Sequence, residues 1–434
     1  MRLASAWRSG PLNIPAFRLL TAGQFASNIG DYCYAVALPW LVLSDHGSTI
    51  LLGTLLACYG VPRTVLIPVG GMLADKISQR TTMLAADLSR CVFVAVFAAL
   101  AANHIVSIAA LGPLAALIGA GEGLFLPASF SILPSLLGED KLLAGNAFYS
   151  VGQQTGSLIG PAIGGVLVAA AGPVPALAAD AVSFGISALT LALIRGGGGV
   201  TSAATARAAG EPETETADGV LAFLRGLPSM QVLLLIVIVA NLTFGGLSEV
   251  AVPSLAHERW AASGYGALLA SFAVGSIAGN LTATRAGRAR RPMTIAGCAF
   301  VLSAVAMAAV PYFGGLAGAG AGLLAMGLCQ SFGNTLIMPS IQTAVPPRMT
   351  GRLMGVVMLC SMGSFPLSVA VTGVVIRHIG PSAFFPVSGA FFGVVMLLAL
   401  TQRAFRDFGA REVMPREPEC ANGLVRKRAR KRIR

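Results

Sequence analysis

Charge is scarce in this 434-residue chain: Asp, Glu, Lys and Arg make up 11% of it, against 55% hydrophobic residues. A soluble domain of this length needs a polar shell, and so few polar residues cannot cover one. Also lacking is any Gly-x-x-x-x-Gly-Lys-Ser/Thr segment, which argues against a self-contained ATP-driven pump. The seven cysteines include no CxxC pair. Cys33, Cys58, Cys91, Cys298, Cys329 and Cys360 fall in apolar spans and Cys420 near the end, so they read as small packing residues, not disulfides. The four histidines, His46, His104, His257 and His378, have no metal-ligand spacing. No catalytic constellation occurs, and the chain is expected to be no enzyme and to carry neither metal nor cofactor.

What is present is an all-α polytopic membrane protein. Apolar runs of about 20 residues, the length that crosses the hydrocarbon core, recur near 17–43, 49–73, 82–102, 105–130, 145–171, 174–194, 230–253, 264–284, 293–311, 315–338, 352–376 and 383–402. Arg2, Arg8, Lys76, Arg80, Lys141, Arg195, Arg225, Arg288, Arg290, Arg291, Arg348 and Arg352 all fall on one side of these spans. The other side has Asp45, Glu258, Arg259, Arg377 and the histidines. The positive-inside rule then puts both termini in the cytoplasm of a multi-pass protein of the cell (inner or plasma) membrane. The net charge of +12 is spent on topology and anionic headgroups, and nucleic acid is not an expected partner. The first span is full length and lacks a small-residue cleavage site, so it reads as retained.

The spans divide into an N-terminal six-helix bundle (1–194), a cytoplasmic linker (195–228), a C-terminal six-helix bundle (229–404) and a basic cytoplasmic tail (405–434). The linker is rich in Gly, Ala, Thr and Glu with no apolar periodicity, although Gly219–Arg225 has an amphipathic character suited to the membrane surface. The two bundles read as direct repeats, giving twelve transmembrane helices in two pseudo-symmetric halves. Pro127 and Pro134 close the fourth span as Pro339 and Pro346 close the tenth, and Gly71–Arg80 has an echo at Gly279–Arg288.

The charged joint after the second span, Gly71-Met-Leu-Ala-Asp75-Lys76-Ile-Ser78-Gln79-Arg80, resembles the loop motif of the major facilitator superfamily at Gly71, Leu73, Ala74, Asp75, Lys76 and Arg80. Ser78 and Gln79 depart from that family's usual Gly and Arg. In the fifth span, Gly156, Gly160, Pro161, Gly164 and Gly165 match the Gly-x-x-x-Gly-Pro-x-x-Gly-Gly pattern of that superfamily's proton-exchanging exporters. Glycines four apart also let a neighbouring helix approach closely, whatever the direction of transport. Ser27-Asn-Ile-Gly30-Asp31, Val61-Pro62-Arg63, Ala86-Asp87-Leu88-Ser89-Arg90 and Gly351-Arg352-Leu353-Met354-Gly355 look like the macrolide-efflux and enterobactin-exporter branch. The resemblance implies a monomeric secondary active transporter that exports an organic small molecule (a drug, siderophore or other secondary metabolite) by proton antiport. A nutrient importer and a non-transporting membrane sensor are the alternatives. In the resemblance Asp75 steadies the outward-facing state against the start of the eleventh helix.

Ionisable groups within the spans are the candidate sites, because a charge near the bilayer centre is costly unless paired or hydrated. Asp31, near the middle of the first span, is the leading proton-coupling candidate, followed by Glu122 and Asp180. An Asp31 that only fixes a helix contact is the alternative. Arg63, Asp87 and Arg90 are read as a structural charge cluster together with Asp75, with a substrate site as the alternative. Glu249 sits close enough to the far interface for simple hydration to suffice. Asn241, Asn280, Asn334, Gln153, Gln154 and Gln330 either line a cavity or bridge helices.

Overall fold

The computed structural model describes residues 10–194, 228–286, 291–312, 314–344 and 347–406, and every regular element among them is helical. Twelve long helices follow in order: α1 Pro15–His46, α2 Thr49–Lys76, α3 Gln79–Ala102, α4 Ile108–Leu136, α5 Glu139–Ala171 and α6 Pro173–Leu193 form the first half. In the second half α7 runs from Pro228–Gly246 through a π-helical turn at Leu247–Ala251 into Val252–Arg259. It is followed by α8 Ala262–Ala286, α9 Pro292–Ala309, α10 Gly315–Ala344, α11 Pro347–Ile379 and α12 Pro381–Thr401. Among the described residues eleven helices are long and apolar enough to cross a membrane. The twelfth, α1, falls short because Gln24, Ser27, Asn28 and Asp31 occupy its middle, yet it packs along α5 and α6 and crosses with them. Large apolar side chains such as Val92, Val96, Leu189 and Leu302 point outward, as hydrocarbon solvent allows and water would not.

The linker segment 195–227, including Gly219–Arg225, lies outside the described residues, as do Arg2, Arg8, Arg288, Arg290, Pro346, the tail from 407 and the side chains of Gly351–Gly355. The joint between α2 and α3 is shorter than the sequence implied. Gly71 to Lys76 are the last turns of α2, and only Ile77 and Ser78 separate the two helices. Ser78 has an extended backbone at φ 171°, open to any residue, and its hydroxyl accepts from the Thr81 amide. This departure from the family's glycine therefore supplies the N-cap of α3. Helices α4, α5, α10 and α11 also overrun their apolar spans by one to two turns on this side. The apolar run measures the hydrocarbon, whereas helical hydrogen bonding continues among headgroups.

Packing repeats between the halves. α2 lies on α4, α1 on α5 and α6, and α3 on α4 and α6; correspondingly α8 lies on α10, α7 on α11, and α9 on α10 and α12. Gly119 of α4 faces the Tyr59 carbonyl of α2, and Gly327 of α10 faces the Phe272 carbonyl of α8, each with no room for a side chain. The step from Gly119 to Gly327 also relates the two far-side joints. Gly172, at φ 81°, precedes Pro173 at the start of α6, and Gly380, at φ 77°, precedes Pro381 at the start of α12. This register corrects the proline pairing: Pro127 corresponds to Thr335, and Pro339 lies one turn beyond. Gly279, read as an echo of the charged joint, instead packs within α8 against the Leu328 backbone.

The halves meet along two seams, α2 on α11 and α5 on α8. Lys76, Arg80, Lys141 and Arg291 mark one face of the molecule, here called basic. Toward the opposite, far face the halves are locked together. Thr49 Oγ1 donates to the Gly373 carbonyl at 2.9 Å, and Tyr265 donates to the Ala35 carbonyl at 3.4 Å. Trp40 meets His257 edge to face at 5.1 Å, and Gly165 lies against Gly266.

Candidate functional site

One face of α1 supplies the floor of the site. Gln24, Ser27, Asn28 and Asp31 recur at the spacing of a single helical stripe. With Glu122 and Ser129 of α4 and Gln153 and Gln154 of α5 they line a cavity of about 550 Å³ in the basic-face half, where Asn280 of α8 closes the other side. A deeper cavity of about 380 Å³ is lined by Tyr34, Tyr59, Arg63, Asp180 and Glu249. Asn28, Asp31, Arg90 and Glu122 belong to both, so Asp31 stands where the two cavities join.

The charged groups are paired unequally. Arg63 reaches Glu122 at 3.0 Å, and Glu122 also accepts from the Tyr59 hydroxyl. Asp87 is fully buried and pairs with Arg90, while Ser187 donates to its second oxygen at 2.6 Å. The Arg90 guanidinium lies 4.5 Å from the Phe125 ring centre and 4.2 Å from that of Phe184, a desolvated cation held between two aromatic faces. Asp180 is buried behind α1, where Gly30 leaves it space, and accepts only a long bond from Ser183 at 3.4 Å. Asp31 makes no hydrogen bond or ion pair with any described residue and is open to the cavity. Around the two cavities five carboxyl groups, Asp31, Asp87, Glu122, Asp180 and Glu249, thus face two guanidinium groups.

Hydrogen bonds link the cavity wall in one direction. Asn28 donates to Gln153, Gln153 to Tyr149 at 3.2 Å, Tyr149 to Gln24 at 3.3 Å, and Gln24 to Ser187 at 3.4 Å. Ser187 then donates to Asp87. Each donor is polarised by the next acceptor, so the chain ties α1, α5 and α6 to the buried pair on α3.

The charge cluster read from the sequence is therefore two clusters. Asp87 and Arg90 pair with each other, Arg63 pairs with Glu122, and Asp75 belongs to neither. Asp75 is exposed at the end of α2, more than three turns from Arg63, and makes no hydrogen bond or ion pair with a described residue. Lys76 is exposed beside it, and Gly71 faces Pro127 at ordinary contact distance. Arg80 turns away from the joint to the end of α6, donating to the Leu191 and Ala192 carbonyls at 2.7 and 2.8 Å. Glu249 is not near the far interface as expected. The helix continues to Arg259, which leaves the π turn carrying Glu249 well inside the bundle.

The α5 glycines serve two neighbours. Gly156, Gly160 and Gly164 lie against Asn28, Tyr32 and Val36 of α1, one turn apart on each helix. Pro161 and Gly165 face the other way, onto Gly266 of α8. Tyr59, Tyr149 and Gln24 were missed in the sequence. Tyr59 stands one turn before Arg63, and Gln24 one turn before Asn28, so extending the polar stripes by a turn would have found both.

Comparison with known proteins gives the same architecture. The sequence profile of the Major Facilitator Superfamily matches residues 20–368. The multidrug efflux pump Tap of Mycolicibacterium fortuitum is 26% identical over 84% of this chain and 89% of its own. The enterobactin exporter EntS of Shigella boydii serotype 4 is 26% identical over 91% of this chain and 94% of its own. Among solved structures, the nucleoside transporter NupG superposes with a TM-score of 0.70 at 14% identity, covering 89% of this chain and 99% of that one, a likeness of fold alone.

Proposed function

This chain belongs to the Major Facilitator Superfamily, and on that premise we propose that it is a secondary active transporter exporting an organic small molecule in exchange for protons. The observation that carries the reading is Asp31, an unpaired carboxylate where two cavities join, within a surplus of acids over arginines. Taking up protons is how such a surplus is neutralised inside a membrane. Export is favoured by the relatives named for multidrug efflux and enterobactin export, and by the fit of Gly156, Gly160, Pro161, Gly164 and Gly165 to the two helices they touch.

The basic face is the cytoplasmic one by the positive-inside rule. The described contacts between the halves run from the far face, where Thr49 meets Gly373 and Trp40 meets His257, to mid-depth, where Thr64 Oγ1 donates to the Met362 carbonyl at 3.2 Å. The far-face contacts support a conformation closed outside that receives cargo from the cytoplasm. An exposed Asp75 fits this state, since its expected role belongs to the opposite one. Both cavities are complete within one chain, which works as a monomer surrounded by lipid. The cycle is a rocking of one half against the other about the site. Asp31 takes a proton when open to the outside and gives it up inward, and cargo binding competes with the proton.

The test is accumulation of a panel of labelled organic compounds in a strain lacking its own exporters. Lower accumulation of at least one compound in cells producing the protein is the expected result. Higher accumulation would make it an importer, and no change across the panel would remove the transport reading.

A further inference from the structure

A third cavity, of about 280 Å³, lies in the C-terminal half and is lined by Asn241, Phe244, Phe300, Gln330, Asn334 and Ser361 among others. It is the repeat partner of the larger acidic cavity. The step from Glu122 to Gln330 equals that from Gly119 to Gly327, which the packing fixes as equivalent, and the step from Gln153 to Ser361 is the same again. On α1 and α7, Asn28 and Asp31 correspond to Asn241 and Phe244 by the same shift that relates Tyr59 to Phe272. A side-chain bridge recurs at these positions. Asn28 of α1 bonds Gln153 of α5, and Ser361 of α11 donates to Asn241 of α7 at 3.0 Å.

What differs is charge. Where the first half has Asp31 and Glu122, the second has Phe244 and Gln330, and α9 contributes Phe300 where its repeat partner α3 contributes Arg90. Among the described residues no charged side chain lines this cavity. A charged group entering it would lose its hydration without a counter-charge. Two of its walls are fixed rings, since Phe392 holds Phe244 edge to face at 4.9 Å and Phe300 at 6.1 Å. Gln330 Oε1 is buried with no hydrogen-bond partner among the described residues, an acceptor that a ligand donor would satisfy. The volume is below the roughly 300–1,000 Å³ of drug-sized sites, which suits one substituted ring of a larger molecule.

We infer that this cavity is an uncharged subsite that takes a neutral aromatic ring bearing an N–H or O–H donor, the donor directed at Gln330. It rests on the transport reading and deepens it: the exported molecule is divided between an acidic subsite in one half and a neutral, aromatic and amide-lined subsite in the other.

Binding to the full-length protein in lipid nanodiscs, read by fluorine NMR, tests it with three probes of similar size: neutral 4-fluoroacetanilide, cationic 4-fluorobenzylammonium and anionic 4-fluorobenzoate. Gln330→Leu should weaken 4-fluoroacetanilide about tenfold, the loss of one good hydrogen bond. Ala240→Phe, which fills the cavity, should abolish its binding, and both variants should leave 4-fluorobenzylammonium unchanged. If Ala240→Phe does not fold, Asn334→Leu in the same lining replaces it, with several-fold weakening expected. Absence of 4-fluoroacetanilide binding, binding insensitive to these variants, or equal loss of all three probes would each overturn the subsite. Export is scored separately in cells. Loss of export with this binding pattern intact removes the transport reading alone, whereas export with variant-insensitive binding removes the subsite alone.

Discussion

Substituting Gly266 with alanine places one methyl group in the seam between the two halves. Its Cβ would stand 2.5 Å from the Pro161 carbonyl oxygen and 3.1 Å from Gly165 Cα, both backbone atoms that cannot swing aside. Relief needs the halves to part there by about 1 Å to reach ordinary contact, and forcing such a group into a packed contact costs about 1–3 kcal/mol. Alanine's helix-propensity gain of about 1 kcal/mol is present in both conformations and cancels in their balance. The steric cost therefore falls on the far-closed state alone, a shift of about 5- to 150-fold toward outward opening. Gly164→Ala provides the contrast, because its Cβ would stand 2.9 Å from Cys33 Cα in a contact within one half. That contact moves as a unit during rocking, so the variant should lower thermal stability and leave the conformational balance in place. The readout is labelling of Ser254→Cys, a buried position lining a far-face pocket, by a membrane-impermeant maleimide in a background without native cysteines. Gly266→Ala should accelerate labelling and Gly164→Ala should not. Equal labelling in both would refute the assignment of this seam to one conformational state.

Three further outcomes are expected. Ser78→Ala should lower stability by about 1 kcal/mol through loss of the α3 cap, whereas Ser78→Gly should cost only a few tenths of that, measured as thermal unfolding in detergent. Arg90→Met should destabilise by about 3–5 kcal/mol because it leaves Asp87 buried without its counter-charge, and adding Asp87→Asn should recover much of the loss; additive losses would contradict a paired role. Arg80→Ala should cost about 1–2 kcal/mol through two lost bonds to the end of α6, and Arg80→Lys should recover part, since a single ammonium cannot reproduce the guanidinium's fork on two carbonyls.

The twelve spans were legible because a membrane demands long apolar runs, and hydropathy records that demand directly. Helix ends were less so. The helices continue past the hydrocarbon, and the overrun of α7 to Arg259 is what carried Glu249 from the interface into the cavity. The place of Asp31 at the cavities was legible from its depth alone. The partners of Arg63 were not, since pairing with Glu122 depends on how α2 and α4 are rotated, which the glycines Gly119 and Gly123 decide by letting α4 press on Tyr59 and Arg63. The better repeat signal was Gly172-Pro173 against Gly380-Pro381. Both glycines take a positive φ, so a backbone requirement holds that pair in place, and the prolines of α4 and α10 answer to no such requirement.

Proton-coupled export through Asp31 is tested most directly in reconstituted vesicles under an imposed pH difference, using a compound the cell assay identifies as cargo. Wild-type protein should concentrate the compound against its gradient and move protons when the compound is added. Asp31→Asn should do neither while still binding the compound and exchanging it downhill. An Asp31→Asn protein that still concentrates its cargo under the pH difference would contradict the account and move the search for the proton site to Glu122 and Asp180.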